Sequence, residues 1–497
     1  MEVVRLRVRG VSLDSKIHNF AAMSTGVESL YDEEQGAFGE PQAPRAHEMS
    51  VRERVALGVC ALGGLALLIG VSHLTGWSSF WGLGGLAGIV LGAAAYFLFA
   101  WSSRDSSSLN DFTLFTSARA AGAIGWALGV LMTGFYVVLY WFPHLLDGAT
   151  RTLDPLALRL AGRAADSWFL YGLVYTLAVL AFGVRMLVRH RSNRYQLWRT
   201  ASVMTFQVGF AFLLPHLLEL FRQPEYYLTY FWPLKWSYLF PSDVHALLGH
   251  PGGLGVFLVF WSVAASFIVT PVLTYYYGKR WYCSWVCGCG GLAETVGDPF
   301  RQLSSKSTRA WRIERISIYS ILGLIVLTTI TVWLHSTGHA SWLGGAAQKL
   351  SQWYGFFVGA IFSGVVGVGF YPILGSRVWC RFGCPMAAIL GLQQRLWSRF
   401  RITTNGGQCM SCGNCSTYCE MGIDVRAYAQ KGESIVRASC VGCGICSSVC
   451  PRGVLKLENG PTGPERFGPH STSRALASPS ILELRAELAE AVAEPRR

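Results

Sequence analysis

A chain of 497 residues with 52% hydrophobic and only 14% charged residues is too apolar for a string of soluble domains, which carry about 25% charge. The net charge of +13 does not point to nucleic acid, because the basic residues sit in short stretches between long apolar runs, as inward-facing membrane loops do. Thirteen of the 14 cysteines crowd between Cys283 and Cys450 in close-spaced sets, which argues against a secreted disulfide scaffold and for metal ligation.

Residues 1–54 are polar, lack the apolar core and cleavage site of a signal peptide, and read as a cytoplasmic N-terminal arm. Residues 55–400 read as a transmembrane bundle, since about 20 mostly apolar residues span the hydrocarbon. The predicted spans are 55–73, 80–101, 120–142, 168–188, 200–221, 254–277, 316–335 and 353–374. Basic residues crowd alternate connections: Arg185 to Arg199, Lys279 to Arg315, and Arg377 to Arg401. With eight spans, this alternation places both termini and every clustered cysteine on the cytoplasmic side of a prokaryotic inner membrane. Cys60, in the first span, reads as an ordinary buried thiol.

Along the bundle, His73, His144, His216 and His335 fall near the outer ends of spans, and Glu219 shares a helical face with His216. Interfacial histidines bonded to headgroups and water are the plainer reading. The functional one makes His216, Glu219 and His335 candidates for quinol or haem binding. The stretch 147–152, DGATRT, reads as a turn and helix cap; haem and flavin are not expected. The loop 226–241, YYLTYFWPLKWSYLFP, has the aromatics of an outer interfacial belt, with a buried aromatic substrate pocket as the alternative.

Two span ends carry the same pattern, G-x-R-x-aromatic-C-x3-C, in GKRWYCSWVC and GSRVWCRFGC. They form an internal repeat of about 97 residues. Spacing of four puts both thiols of a pair on one helical face, so two pairs brought together make a four-thiolate site. Cys283, Cys287, Cys380 and Cys384 are therefore candidates for a third iron–sulfur or other metal centre, with Cys289 as a spare ligand and Arg280, Arg377 and Arg381 as compensating charge. Metal-free redox thiols are the alternative.

Residues 401–459 repeat C-x2-C-x2-C-x3-C twice, which is the spacing of a bacterial ferredoxin-like α+β domain with two [4Fe-4S] clusters. Zinc would take two C-x2-C pairs instead. The fourth cysteine of each run reaches the other cluster, so Cys409, Cys412, Cys415 and Cys450 are expected on one, and Cys440, Cys443, Cys446 and Cys419 on the second. Pro451 follows the second run, whereas Glu420 stands where a proline usually follows the first. Residues 460–497 read as a linker and tail, with an amphipathic segment at 481–493.

The paired CSWVCGC and CRFGCP motifs, followed by the two four-cysteine runs, resemble the NapH/NosR/CcoG-like family of polytopic membrane 4Fe-4S ferredoxin proteins. The likeness covers about half the chain; the first four spans carry no family signal. It implies electron transfer between a cytoplasmic donor or the quinone pool and a partner redox protein, with lipid as the surrounding medium and no nucleic-acid partner. Copper reduction or redox sensing by the thiols is the alternative that it implies. The sequence identifies no catalytic residue, and the chain reads as an electron-transfer component rather than a stand-alone enzyme.

Overall fold

The computed structural model describes residues 49–73, 77–102, 122–339, 342 and 344–460. Residues 1–49 form a unit of their own, of which only Met49 is described, and the segment 481–493 lies outside the described residues. The chain is mostly helical. Among the described residues, seven helices are long and apolar enough to cross a membrane: α1 (Val51–Ser72), α2 (Ser78–Ser102), α3 (Ala123–Trp141), α5 (Ser167–Arg189), α6 (Arg194–Leu220), α7 (Leu254–Tyr277) and α9 (Thr308–Ser336). Between them lie α4 (Asp147–Leu160) and α8 (Gly288–Thr295), and α10 (Pro385–Leu396) follows.

Local chemistry sets several of these starts. Ser50 and Glu53 close a capping box on α1, Asp166 caps α5 through the Phe169 amide at 2.7 Å, and Ser307 caps α9 through Ala310. The Gly-rich character of α1 reflects close helix packing: a Cβ at Gly63 would stand 2.7 Å from the Ile89 amide nitrogen of α2. The eighth predicted span, 353–374, is wound differently. Tyr354–Val366 form a π-helix that packs against α3 and α9, and a turn leads to the short helix Tyr371–Leu374. Polar residues such as Gln348, Lys349 and Gln352 lead into it, which dilutes its apolar length. Shorter π turns interrupt α6 at Gln207–Leu213 and α7 at Ala265–Val269.

The cysteine-rich C-terminal region begins with β1 (Phe400–Thr404), which pairs antiparallel with β2 (Leu455–Asn459), Phe400 opposite Asn459 and Thr404 opposite Leu455. This ladder closes the module on itself and sets it against the bundle, where the Arg399 amide donates to the Tyr275 carbonyl at 2.8 Å. One hydrophobic core runs through both parts, from Ile325 and Tyr282 through Leu390 to Phe400, Ile402 and Val441. Burying Phe400 alone contributes on the order of 2 kcal/mol.

Candidate metal centres

In each four-cysteine run the residues flanking the second cysteine adopt left-handed backbone: Ser411 and Gly413 at φ 59° and 80°, Gly442 and Gly444 at 61° and 77°. The third cysteine then lies in a one-turn helix, Asn414–Thr417 or Ile445–Ser448. This shared path curls three thiols of each run around one point. Glycine at 444 is required twice over, since a Cβ would also stand 2.8 Å from the Tyr195 ring.

Cys450 crosses back to join Cys409, Cys412 and Cys415 around a small cavity. Cys419 crosses the other way into the electrostatic reach of Cys440 and Cys446. Two compact four-thiol cradles result, and a [4Fe-4S] cube in each would supply one-electron chemistry. Burial pushes the Cys415 and Cys440 thiols up to about 11, and Cys443 and Cys446 well above the usual range. Ligation needs these thiols as thiolates, so bound iron would have to supply the charge that burial withholds.

The two cradles face differently. Cys412 is exposed. The loop of the second run is gripped by the bundle through its carbonyls. Tyr195 OH donates to Gly442 at 2.8 Å, Gln196 to Cys443 at 2.8 Å, Ser284 to Val441 at 2.8 Å, and Gln394 to Cys440 at 2.9 Å.

Cys283, Cys287, Cys380 and Cys384 are all buried in the core beneath this loop, and each lies within the electrostatic reach of the others. Burial pushes Cys283 up to about 12, raises Cys380 against the opposing pull of Arg377, and lifts Cys384 well above the usual range. The Cys384 sulfur accepts the Ala387 amide at 3.4 Å and so caps α10. Cys289 sits beside Cys287: its thiol holds Cys287 down at about 7 and is itself pushed well up.

Of the three arginines expected to compensate these thiols, one does so directly. Arg377 Nη1 donates to Cys380 Sγ at 3.7 Å and to the Cys283 carbonyl at 3.2 Å. Arg381 pairs with Glu314 at 2.7 Å, and Arg280 lies over the Phe400 ring. The other guanidinium nitrogen of Arg377 reaches Glu294 at 2.5 Å and Glu420 at 3.0 Å. Acceptor atoms of Glu294, Glu420 and Cys443 lie within 4.8 Å of one another. Arg377 thus stands between the C-x3-C thiols and the second cradle.

Sequence reasoning missed the acidic half of this network. Glu294 also pairs with Arg199 and, at 2.9 Å, with Arg301; Asp298 pairs with Arg185 and Arg189 at 2.6 Å each, and with Arg301 at 2.9 Å. Arg185, Arg189 and Arg199, read from sequence as loop charges, are therefore buried in ion pairs. Glu420, read as a departure from proline, is fully buried and bound to Arg301 at 2.9 Å. Burial would raise the Asp298 carboxyl, but Arg189, Arg185 and Arg301 outweigh it and hold the group well below its usual range. The signal available in sequence was the spacing of Glu294, Asp298 and Arg301 by about one helical turn each.

A cavity of about 480 Å³ opens between α5, α6 and the aromatic loop 226–241. Tyr171, Tyr175, Phe212, Tyr230, His216, Arg163 and Cys289 line it. His216 Nδ1 is 3.4 Å from Glu219, which also pairs with Arg163 at 3.1 Å. His335 is exposed at the end of α9 and lines no part of this cavity. The aromatic loop is not simply a surface belt: Tyr226 stacks on Tyr238 at 4.3 Å in a buried core, while Tyr227 and Tyr230 face the cavity. Thr150 and Thr152 bond backbone carbonyls within α4, as ordinary helix residues do.

Residues 259–307 and 354–405 match the 4Fe-4S binding domain family, in two stretches that contain the two C-x3-C motifs. Residues 408–455 match the 4Fe-4S dicluster domain family. The chain also resembles the "Putative electron transport protein YccM" of Escherichia coli (strain K12), at 26% identity over 167 residues, 32% of this chain and 45% of that protein. The chain therefore spans less than half the length of that curated relative. No solved structure matches. The chain is a mostly helical protein with membrane-spanning helices that carries two 4Fe-4S binding domains.

Proposed function

We propose that the chain is a membrane-bound relay that passes single electrons between a soluble donor or the quinone pool and a partner redox protein. The observation that carries this reading is the order of the thiol sets. A cradle that reaches the surface at Cys412 (Cys409, Cys412, Cys415, Cys450) adjoins one whose loop is held by the bundle (Cys440, Cys443, Cys446, Cys419). Arg377 then bridges this second cradle to Cys283, Cys287, Cys380 and Cys384, the ligands of a third centre in this reading. The name of the YccM relative and the 4Fe-4S match across the C-x3-C repeat support it. The paired motifs support membership of the NapH/NosR/CcoG-like group, and the basic connections support a cytoplasmic module in an inner membrane. A multi-pass bundle of residues 55–400 with a ferredoxin-like module of residues 401–459 is the corresponding domain division.

On the membrane side, the aromatic cavity lined by His216 and Cys289 has the size and lining for a quinol head, with His216, backed by Glu219, able to take its protons. A second reading, thiol-based copper reduction, rests on the grouping of five thiols, Cys283, Cys287, Cys289, Cys380 and Cys384, near one another in the chain's core.

Iron and acid-labile sulfide analysis with EPR during stepwise reduction tests the relay. About eight irons per chain correspond to two cubane clusters and about twelve to three. The expected outcome is a signal beyond the dicluster pair that Cys283→Ser and Cys380→Ser each abolish. Two clusters only, with stoichiometric Cu(II) reduction and no quinol reactivity, would replace the relay by the copper reading.

A further inference from the structure

A second cavity, of about 390 Å³, lies between the 4Fe-4S module and the bundle, walled by the first turns of α9, one side of α10 and the loop 433–439. Lys279, Arg315, Arg381, Arg395 and Arg437 line it, and Cys380 is reached at its wall. Only Glu314 and Glu433 oppose them, and Glu314 is already paired with Arg381 at 2.7 Å. Four cations are left facing one carboxylate. Arg315, from the bundle, and Arg437, from the module, both lie over the Trp311 ring, at 5.3 and 4.8 Å from its centroid. Trp311 thus holds one guanidinium from each part of the chain at the wall of this cavity, where an anion would offset their charge.

The place is the entry of α9 into the membrane. A groove of about 320 Å³ shares Trp311, Arg315 and Tyr319 with the cavity and adds Arg312 and Ile316. Ile313 and Ile316 stand exposed on this part of the span. Tryptophan and tyrosine at a span end, a basic pocket beside them and bare isoleucines leading away together match the three zones of a phospholipid. We propose that this cavity binds the phosphate of an anionic phospholipid, which bridges α9 to the 4Fe-4S module. Free inorganic phosphate offers the same charge, but the adjoining groove and the exposed isoleucines have a use only for an acylated ligand. The proposal rests on α9 as a span and not on the route of electrons.

The test is native mass spectrometry of the full chain in mild detergent, titrated with short-chain phosphatidylglycerol, with short-chain phosphatidylcholine and with inorganic phosphate. Phosphatidylglycerol is expected to bind wild type in preference to phosphatidylcholine. The double variant R315Q/R437Q is expected to lose about 25-fold in affinity, at about fivefold per arginine near a membrane surface. R437K, which keeps the charge, should retain most of the binding. Equal binding of the two lipids by wild type overturns the proposal whether or not the double variant folds. So does competition by inorganic phosphate at equal potency, which would assign the cavity to a soluble anion. Unchanged binding by an R315Q/R437Q protein that keeps its cluster absorbance would also overturn it.

Discussion

Replacing Arg377 by glutamine removes the cation that stands between Cys380 and the Glu294–Glu420 pair. At the observed 3.7 Å from the Cys380 sulfur, a unit charge in a medium of effective dielectric about 20 is worth about 4 kcal/mol. The charge of a cluster is spread over a larger volume, so about half of that is the more realistic figure. For a one-electron couple this corresponds to a shift on the order of 100 mV. The sign is fixed: the reduced centre is the more negative, so losing a nearby cation lowers its midpoint potential. Glu294 and Glu420 would keep Arg301 but share one positive charge fewer, and removing one partner of a buried pair costs about 3–5 kcal/mol of stability. Arg377→Lys keeps the charge while losing the forked geometry, and should shift the potential far less. The assay is an EPR-monitored redox titration of the C-x3-C signal in both variants. An R377Q protein with full iron content and a midpoint within about 30 mV of wild type would show that Arg377 does not face a redox centre.

The crossed ligation makes a second prediction: Cys450→Ser should disturb the same EPR signal as Cys409→Ser, and Cys419→Ser the same signal as Cys440→Ser. Acid should act through Asp298. Because its folded pKa is depressed, its stabilisation is complete above the unfolded value of about 3.9 and is lost as pH falls toward the folded one. Thermal melts of wild type should accordingly worsen below about pH 4, and Asp298→Asn should flatten that dependence while lowering stability throughout by about 3–5 kcal/mol. Filling the aromatic cavity by Gly172→Phe, where a Cβ already meets the Phe212 ring at 3.4 Å, should abolish oxidation of an added quinol while leaving dithionite reduction of the clusters intact.

The parts legible in sequence are those whose causes are local. A long, uninterrupted apolar helix makes a span wherever it occurs, and the first three thiols of each ferredoxin-spaced run curl around one point because intervening residues adopt left-handed backbone. The acidic partners were not legible because pairing spans long separations: Arg185 meets Asp298, and Arg377 meets Glu294, only when α5, α8 and the second C-x3-C motif converge. The same arginines therefore looked like loop charge. Glu420 shows the effect most directly, since its role depends on Arg301 and Arg377, neither of them in its own motif. The π winding of Tyr354–Val366 and the cavities arise from packing between elements and leave no periodic trace.

The grip of Tyr195, Gln196, Ser284 and Gln394 on the second cysteine loop leaves that end of the module no freedom to swing. A carrier fastened at four carbonyls cannot ferry charge by moving; it is wired in place. In the proposed relay, exchange with a soluble partner would then fall to the side of the module where Cys412 is exposed. Selectivity for such a partner would accordingly reside in the few side chains around residues 410–413, a far smaller target for engineering than the molecule as a whole.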